Sequence, residues 1–258
     1  MNNGIDYWDK TCEGFFDLQD QEDLVTDSEE IGMHAGLLLS RKAVQAIEAH
    51  ALEFTQTPLF LYYSPALVHT PFPEHNPAPF GGRCSKPADH SYEGIKDVVS
   101  YCELMLMLDD SIANVSCAIE RVGWASNTVM IVMSDNGGGK YVPGSTSPLR
   151  GAKGELFNGG VLGRAIIHSQ LLPASSRGSV FGGLSHLTDW LPTLMRVATN
   201  GTWSRKFNDD AIDGVDLWDA LAKCTPIAKS HDSPRSDVLI NINNKTGEGA
   251  LVRRRVSL

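Results

Sequence analysis

Residues Thr128-Val-Met-Ile-Val-Met-Ser134 are apolar or β-branched with almost no polar alternation, and Asp135-Asn136-Gly137-Gly138-Gly139 follows at once. An unbroken apolar run of that length predicts a strand buried on both faces, as in a parallel sheet covered by helices. A buried helix is the competing reading, but the glycines stop it too early. A second run of strand type, Pro58-Leu-Phe-Leu-Tyr-Tyr63, ends in Ser64-Pro65. Between and around these runs the apolar period changes from two to nearly four. Ser40 is placed to cap a helix reaching about Phe54, with Val44, Ile47 and Ala51 on one face. Tyr92 to about Val122 predicts a long helix whose stripe is Leu104, Leu108, Ile112, Val115 and Ile119, ended by Gly123. A strand is expected around Gly160 to His168, a helix over Ser185 to Thr199 and a short strand over Asp237 to Ile242. The last stretch, Leu251-Val-Arg-Arg-Arg-Val-Ser-Leu258, reads as a strand beginning. Helices alternating with strands predict an α/β layer fold with a mostly parallel sheet.

The polar stretches divide into two kinds. Residues 1–32 are acidic, with seven carboxylates from Asp17 to Glu30, and read as a solvated loop. Val68 to Pro87 is a proline-rich loop holding Pro71, Pro73, Pro77, Pro79 and Pro87, and loops that long inside a domain are usually functional or disordered.

Composition narrows the function. With 258 residues the chain suffices for one large domain, alone or with a small appendage. A net charge of −9, with its basic cluster confined to Arg253-Arg254-Arg255, argues against a general nucleic-acid binder. No apolar run approaches the roughly 20 residues that span a bilayer, and no signal peptide is visible at Met1. The five cysteines (Cys12, Cys84, Cys102, Cys117, Cys224) form no C-x-x-C pair and no zinc pattern, and their odd number leaves one unpaired within the chain. Sequons at Asn114, Asn200 and Asn244 lean slightly toward a secretory protein, with Asn114 weakened by falling inside a helix.

Three segments carry candidate chemistry. Asp135 and Asn136 offer a carboxylate and an amide oxygen, hard donors appropriate to Ca²⁺ or Mg²⁺, at the carboxyl end of a strand where α/β folds bind ligands. Asp-Asn-Gly is equally ordinary turn chemistry. His69, in Ser64-Pro-Ala-Leu-Val-His-Thr-Pro-Phe-Pro73, also stands just past a strand of buried type, although a loop histidine taken singly is usually a surface residue. Lys153, in Pro148-Leu-Arg-Gly-Ala-Lys-Gly-Glu-Leu-Phe-Asn-Gly-Gly-Val161, lies between glycines that permit close backbone approach. It is a solvated lysine or a point charge for an anion.

Together these segments resemble the sulfatase family, most closely its arylsulfatase B-like branch. His186-Leu-Thr-Asp-Trp-Leu-Pro-Thr193 and Ile212-Asp-Gly-Val-Asp-Leu-Trp218 also resemble family stretches, so the likeness runs in order from about residue 33 to 225. It implies an alkaline-phosphatase-like sandwich with helices flanking the sheet. It implies a metal site at Asp135 and Asn136 holding Ca²⁺, and a catalytic and substrate-binding pair, His69 and Lys153, on the sulfate. The partner would be a sulfated small molecule or glycan, in a lysosomal or secreted enzyme. The family's nucleophile, a formylglycine made from Cys in C-x-P-x-R, has no counterpart here. Cys224-Thr-Pro-Ile-Ala228 lacks the arginine and lies after the Asp-Asn pair, and Asp109-Asp110 reads as the polar face of a helix. Asn158 and Leu162 stand where the family tends to have Glu and Arg. The expectation is therefore a catalytic α/β domain, incomplete at both ends, over 1–225 and the start of a small C-terminal domain over 226–258. Such a chain would be inactive alone. The alternatives are a non-catalytic remnant that binds anionic glycans or protein partners, and a phosphate-ester hydrolase of the wider superfamily. The His69 and Lys153 segments favour sulfatase over the latter.

Overall fold

The computed structural model describes residues 33–72, 83–85, 97–140, 142–203, 212–224, 233–243, 245 and 247–253, with the backbone of five two-residue strands before them. Those strands are β1 (Ile5–Asp6), β2 (Thr11–Cys12), β3 (Phe15–Phe16), β4 (Gln19–Asp20) and β5 (Asp23–Leu24). They pair antiparallel as β1-β2-β3 and β4-β5, so this acidic stretch is not the wholly irregular loop expected. The chain divides into two compact units, 1–125 with 139–145, and 126–138 with 146–258.

The first unit is built on two helices, α1 (Ala35–Glu53) and α2 (Val98–Arg121). α1 begins five residues before Ser40. His34 caps it instead, its Nδ1 accepting the Gly36 amide at 3.1 Å. Three successive leucines from 37 to 39 extend the apolar face backwards, so Ser40 is buried inside the helix instead of capping it. On α2 the buried stripe is Leu104, Met107, Ser111, Val115 and Ala118, a 3-4-4-3 spacing that keeps one face inward. Leu104 and Met107 form the centre of a cluster that takes in Leu37, Leu67, Val68 and Phe72. Gly123, at φ +77°, ends α2 as predicted, with the Trp124 amide reaching back to the Ile119 carbonyl at 3.0 Å.

Residues 58–63 form no regular element and have no strand partner among the described residues. Exposure alternates along them: Leu59 36%, Phe60 78%, Leu61 38%, Tyr62 82%. A strand's period of two therefore survives without its ladder, one face half covered and the other open. Tyr63 anchors the segment, its hydroxyl 2.6 Å from Ser111 Oγ.

In the second unit β6 (Val129–Met133) pairs with β7 (Ala165–Ser169). The pairing is antiparallel, Met130 opposite His168 and Val132 opposite Ile166, and β6 is half buried. Both points correct the expectation of a parallel strand enclosed on two faces. A run of β-branched residues sets the strand and leaves its direction open. The connection between them includes α3 (Asn158–Val161), a single turn. Beyond it come α4 (Trp190–Ala198), α5 (Trp218–Ala222) and a hairpin of β8 (Asp237–Asn243) and β9 (Glu248–Arg253). Among the described residues no helix is long and apolar enough to cross a membrane.

Candidate functional site

Asp135 and Asn136 sit immediately past β6, in the second unit. The strand hands over to the loop through Ser134, whose amide donates to the Arg164 carbonyl at 2.9 Å while its Oγ accepts the Arg164 amide at 2.9 Å. Next, the Gly137 amide donates to the Gly160 carbonyl at 2.9 Å. The Lys153 amide then donates to the Gly138 carbonyl at 2.9 Å. The two loops are thus laced by their backbones, and the structure brings Asp135, Asn136 and Lys153 onto one fastened assembly.

The glycines serve this lacing in two ways. A Cβ on Gly137 would overlap the Gly159 carbonyl, so its missing side chain is what lets the chains meet. Gly151 and Gly154 on either side of Lys153 have φ of +85° and +89°, which L side chains rarely adopt. Inside the same loop the Gly159 amide donates to the Arg150 carbonyl at 2.7 Å, and Glu155 Oε2 accepts the Ala152 amide at 3.2 Å. The Arg150 guanidinium lies 3.8 Å from the centroid of the Phe157 ring, within cation–π range.

Asp135 and Lys153 are exposed, Asn136 half buried. Asn136 Nδ2 donates to Asp135 Oδ1 at 2.6 Å. As a cation site the pair is right in kind, since both residues offer hard oxygens. It is short in number, because Ca²⁺ takes roughly six to eight oxygens. Among the described residues there is also no group of three or more His, Cys, Asp or Glu able to hold a metal. Asp135 and Asn136 fit as a share of a calcium site and not as the whole of one.

His69 belongs to the first unit. Leu67, Val68 and Phe72 on either side of it pack onto the α2 core, and Phe72 meets the Tyr101 ring edge-on at 6.1 Å. The loop is therefore held while the imidazole stays exposed. Its Nδ1 is 2.7 Å from the Thr70 carbonyl. A carbonyl only accepts, so Nδ1 carries the hydrogen of this bond. Cys84 is bonded to Cys102 on α2 across 18 residues, a pairing the cysteine spacing left open.

Sequence reasoning missed an anchor built on a fully buried carboxylate of the second unit. Asp189, 0% exposed, accepts from Arg235 Nε at 3.0 and 2.9 Å and from the backbone amides of His186 at 2.8 Å and Val215 at 2.9 Å. Arg235 also donates to the carbonyls of Asp213 at 2.7 Å and Asp237 at 3.1 Å. Hydrogen bonding to Asp189 raises the Arg235 pKa above its already high ordinary value. Nothing in the local pattern marks Arg235, which lies 46 residues from its partner. A separate cavity of about 320 Å³ is lined by Pro192, Arg196, Gly201, Trp203 and Asp216, none of them a candidate named above.

These geometries can be set beside known proteins. A family model described as Sulfatase matches residues 2–200. Arylsulfatase J of Mus musculus is 31% identical over 233 residues, which is 88% of this chain and 34% of that protein. The chain thus spans about a third of the length of this curated relative. Among solved structures, Ps i-CgsB in complex with k-i-k-neocarrahexaose matches with a TM-score of 0.63 at 23% identity, covering 78% of this chain and 40% of that one. A structure concerned with the metabolism of multiple glycosaminoglycans by Bacteroides thetaiotaomicron matches with a TM-score of 0.57 at 17% identity, covering 83% and 41%. At those identities the structural likeness carries the fold and nothing finer. The family match spans most of the chain and includes His69, Asp135, Asn136, Lys153 and Asp189. The chain belongs to the sulfatase family.

Proposed function

We propose that the whole protein hydrolyses sulfate esters of an aryl or glycan substrate, with Asp135 and Asn136 contributing to a Ca²⁺ site and Lys153 and His69 acting on the sulfate. The observation that carries this reading is the backbone bond from Lys153 to Gly138, which fastens the lysine loop to the Asp-Asn loop within a chain of the sulfatase family. The ammonium of Lys153 is a point charge suited to a sulfate oxygen. His69, with Nδ1 committed to a carbonyl, would give a proton from Nε2 to the bridging oxygen as the ester breaks. A bound cation would add electrostatic stabilisation of the charge developing there. In this reading residues 1–225 are part of an alkaline-phosphatase-like sandwich and 226–258 begin a smaller domain. The bonded Cys84 and Cys102 favour an oxidising, lysosomal or secreted location.

The test is turnover of a chromogenic aryl sulfate. The 258-residue chain by itself should show none, with or without calcium, because it holds only a share of the metal ligands. Calcium-dependent turnover by it would overturn that division of the site. In the whole protein, Lys153→Ala and Asp135→Ala should each lower kcat/KM by about 10²-fold or more, the scale of losing one preorganised electrostatic group. Unchanged kcat/KM in both variants sinks the assignment, and binding of a sulfated glycan without turnover points to a non-catalytic protein.

A further inference from the structure

The loop that carries Lys153 holds a second cation for which the proposed reaction has no use. Arg150 is exposed, and among the described residues it forms no ion pair. Its guanidinium rests instead on Phe157, 3.8 Å from the centroid of a ring that is itself 43% exposed. The backbone beneath this stack is fixed on both sides. The Leu149 amide donates to the Thr146 carbonyl at 2.8 Å, and Thr146 Oγ1 donates to the Gly151 carbonyl at 2.9 Å. The Arg150 carbonyl takes the Gly159 amide at 2.7 Å. A Cβ on Gly159 would overlap the carbonyls of Gly151 and Arg150, and one on Gly151 would press on Phe157 Cβ. Glycine at both places therefore lets the two ends of the loop close on each other. Glu155 is the only carboxylate between residues 146 and 161, and its Oε2 is committed to the Ala152 amide at 3.2 Å.

The geometry points to Arg150 as a specificity-determining residue that grips a second anionic group, a carboxylate or a further sulfate, on the substrate whose sulfate ester meets Lys153. This rests on the sulfatase reading of Lys153, and it narrows the substrate from any aryl or glycan sulfate to one carrying two anions. An exposed arginine loses rotamer freedom when it binds, and a guanidinium already laid on an aromatic ring has given up part of that freedom beforehand. Stacking also leaves the N–H edge clear of the ring, and that planar fork matches a carboxylate or sulfate through two parallel hydrogen bonds. The three residues from Arg150 to Lys153 span at most roughly 10 Å of chain, so both cations can reach groups on one sugar ring or on neighbouring rings. The Lys153 amide is tied to the Gly138 carbonyl, which keeps Arg150 on the same frame as Asp135 and Asn136. A neutral aryl sulfate would leave the fork of Arg150 with nothing to hold.

Two probes separate this inference from the hydrolase reading: a disaccharide with one sulfate ester and one uronic carboxylate, and its methyl ester, which keeps the sulfate and loses the second charge. Turnover by the whole protein and calorimetric binding to it are measured for both. The free acid should be preferred by about 10- to 100-fold in kcat/KM, the scale of a charge-assisted hydrogen bond, with the difference lying in KM. Arg150→Met should close that gap. Arg150→Lys should reopen only part of it, because an ammonium has no fork. Phe157→Leu keeps the cation but removes the ring under it, and should narrow the gap without closing it. Equal turnover of acid and methyl ester by the parent protein overturns the proposal. So does a loss of the same size on both probes in Arg150→Met, which marks a residue that only holds the loop. If the parent turns over neither probe, the hydrolase reading fails by itself and binding decides the rest. Acid bound more tightly than methyl ester by the parent, and equally by Arg150→Met, supports the second-anion grip; equal binding or none by the parent overturns it.

Discussion

Replacing Arg235 by methionine tests whether the Asp189 anchor holds the second unit together. The side chains of the pair are 11% and 1% exposed, so removal of the cation strands a carboxylate that water reaches poorly. Breaking a buried ion pair from one side costs about 3–5 kcal/mol. Asp189 keeps the amides of His186 and Val215, and a hydrogen bond to a charged group is worth roughly 1.5–3 kcal/mol. Those two surviving bonds bring the expected loss to the lower end, about 3 kcal/mol. Three elements should loosen together: the 3₁₀ turn Leu187–Asp189 that leads into α4, the segment from Asp213 to Val215, and the approach to β8. Native-state hydrogen exchange at the His186 and Val215 amides reads this locally, and a 3 kcal/mol loss appears there as about a hundredfold faster exchange. Arg235→Lys should recover part of the protection, since it restores the charge without the fork that grips Asp189 through Nε and Nη2. Asp189→Leu combined with Arg235→Met should not recover it, because the two amides then have no acceptor and each costs about 1–3 kcal/mol. Exchange in Arg235→Met within about twofold of the parent protein would mean that the pair behaves as a surface salt bridge, worth about 0–1 kcal/mol, and the argument from burial fails.

Three further outcomes follow from the same geometry. Gly137→Ala pushes a Cβ into the Gly159 carbonyl, so the loops must part at a cost of about 1–3 kcal/mol, read as a lower midpoint in thermal unfolding of the chain; an unchanged midpoint contradicts the close approach. Burial raises the Tyr63 pKa, so the folded state keeps the phenol proton while the unfolded chain loses it. The stability of the first unit should therefore be intact below about pH 10 and fall as pH rises toward the folded value. Tyr63→Phe should flatten that fall and, by losing the Ser111 hydrogen bond, cost about 1 kcal/mol at neutral pH. Cys224 is 2% exposed and burial pushes its thiol pKa up, whereas Cys117 is exposed. Peptide mapping after brief alkylation of the native chain should find Cys117 modified and Cys224 spared, with Cys224 reacting on addition of urea.

Local chemistry was legible where it alone decides the structure. Gly123 ends α2 because a left-handed residue there satisfies the last carbonyls, and that needs no knowledge of the rest of the molecule. The helices, β6 and β8 likewise follow from period and stop signals. Strand direction did not follow, since Val129–Met133 would read the same beside a parallel or an antiparallel neighbour. The run at 58–63 has the composition of a strand and the alternating exposure of one, but a ladder requires a partner, and composition names none. At α1 the usual preference for serine as a cap pointed to Ser40, while burial of Leu38 moved the start to His34, whose ring accepts an amide hydrogen as a serine hydroxyl would.

The candidate site shows the same boundary more sharply. That Asp135, Asn136, His69 and Lys153 carry polar groups at loop positions was plain from the sequence. What holds three of them is backbone, and backbone pairing across 15 to 30 residues leaves its trace only in glycine. Even there the reason for each glycine was not readable. Gly137 was expected to turn and in fact makes room, Gly151 makes room as expected and has left-handed backbone as well, and Gly154 was expected to make room but has open space around it and left-handed backbone. The distinction matters chemically. A loop that is merely flexible holds its side chains by chance, whereas one stitched through Ser134, Gly137 and Lys153 holds them before any ligand arrives. Preorganised polar groups on a fixed backbone are what electrostatic catalysis on a sulfate requires. On the second unit the backbone bonds through Ser134, Gly137 and Lys153 supply that fixed frame.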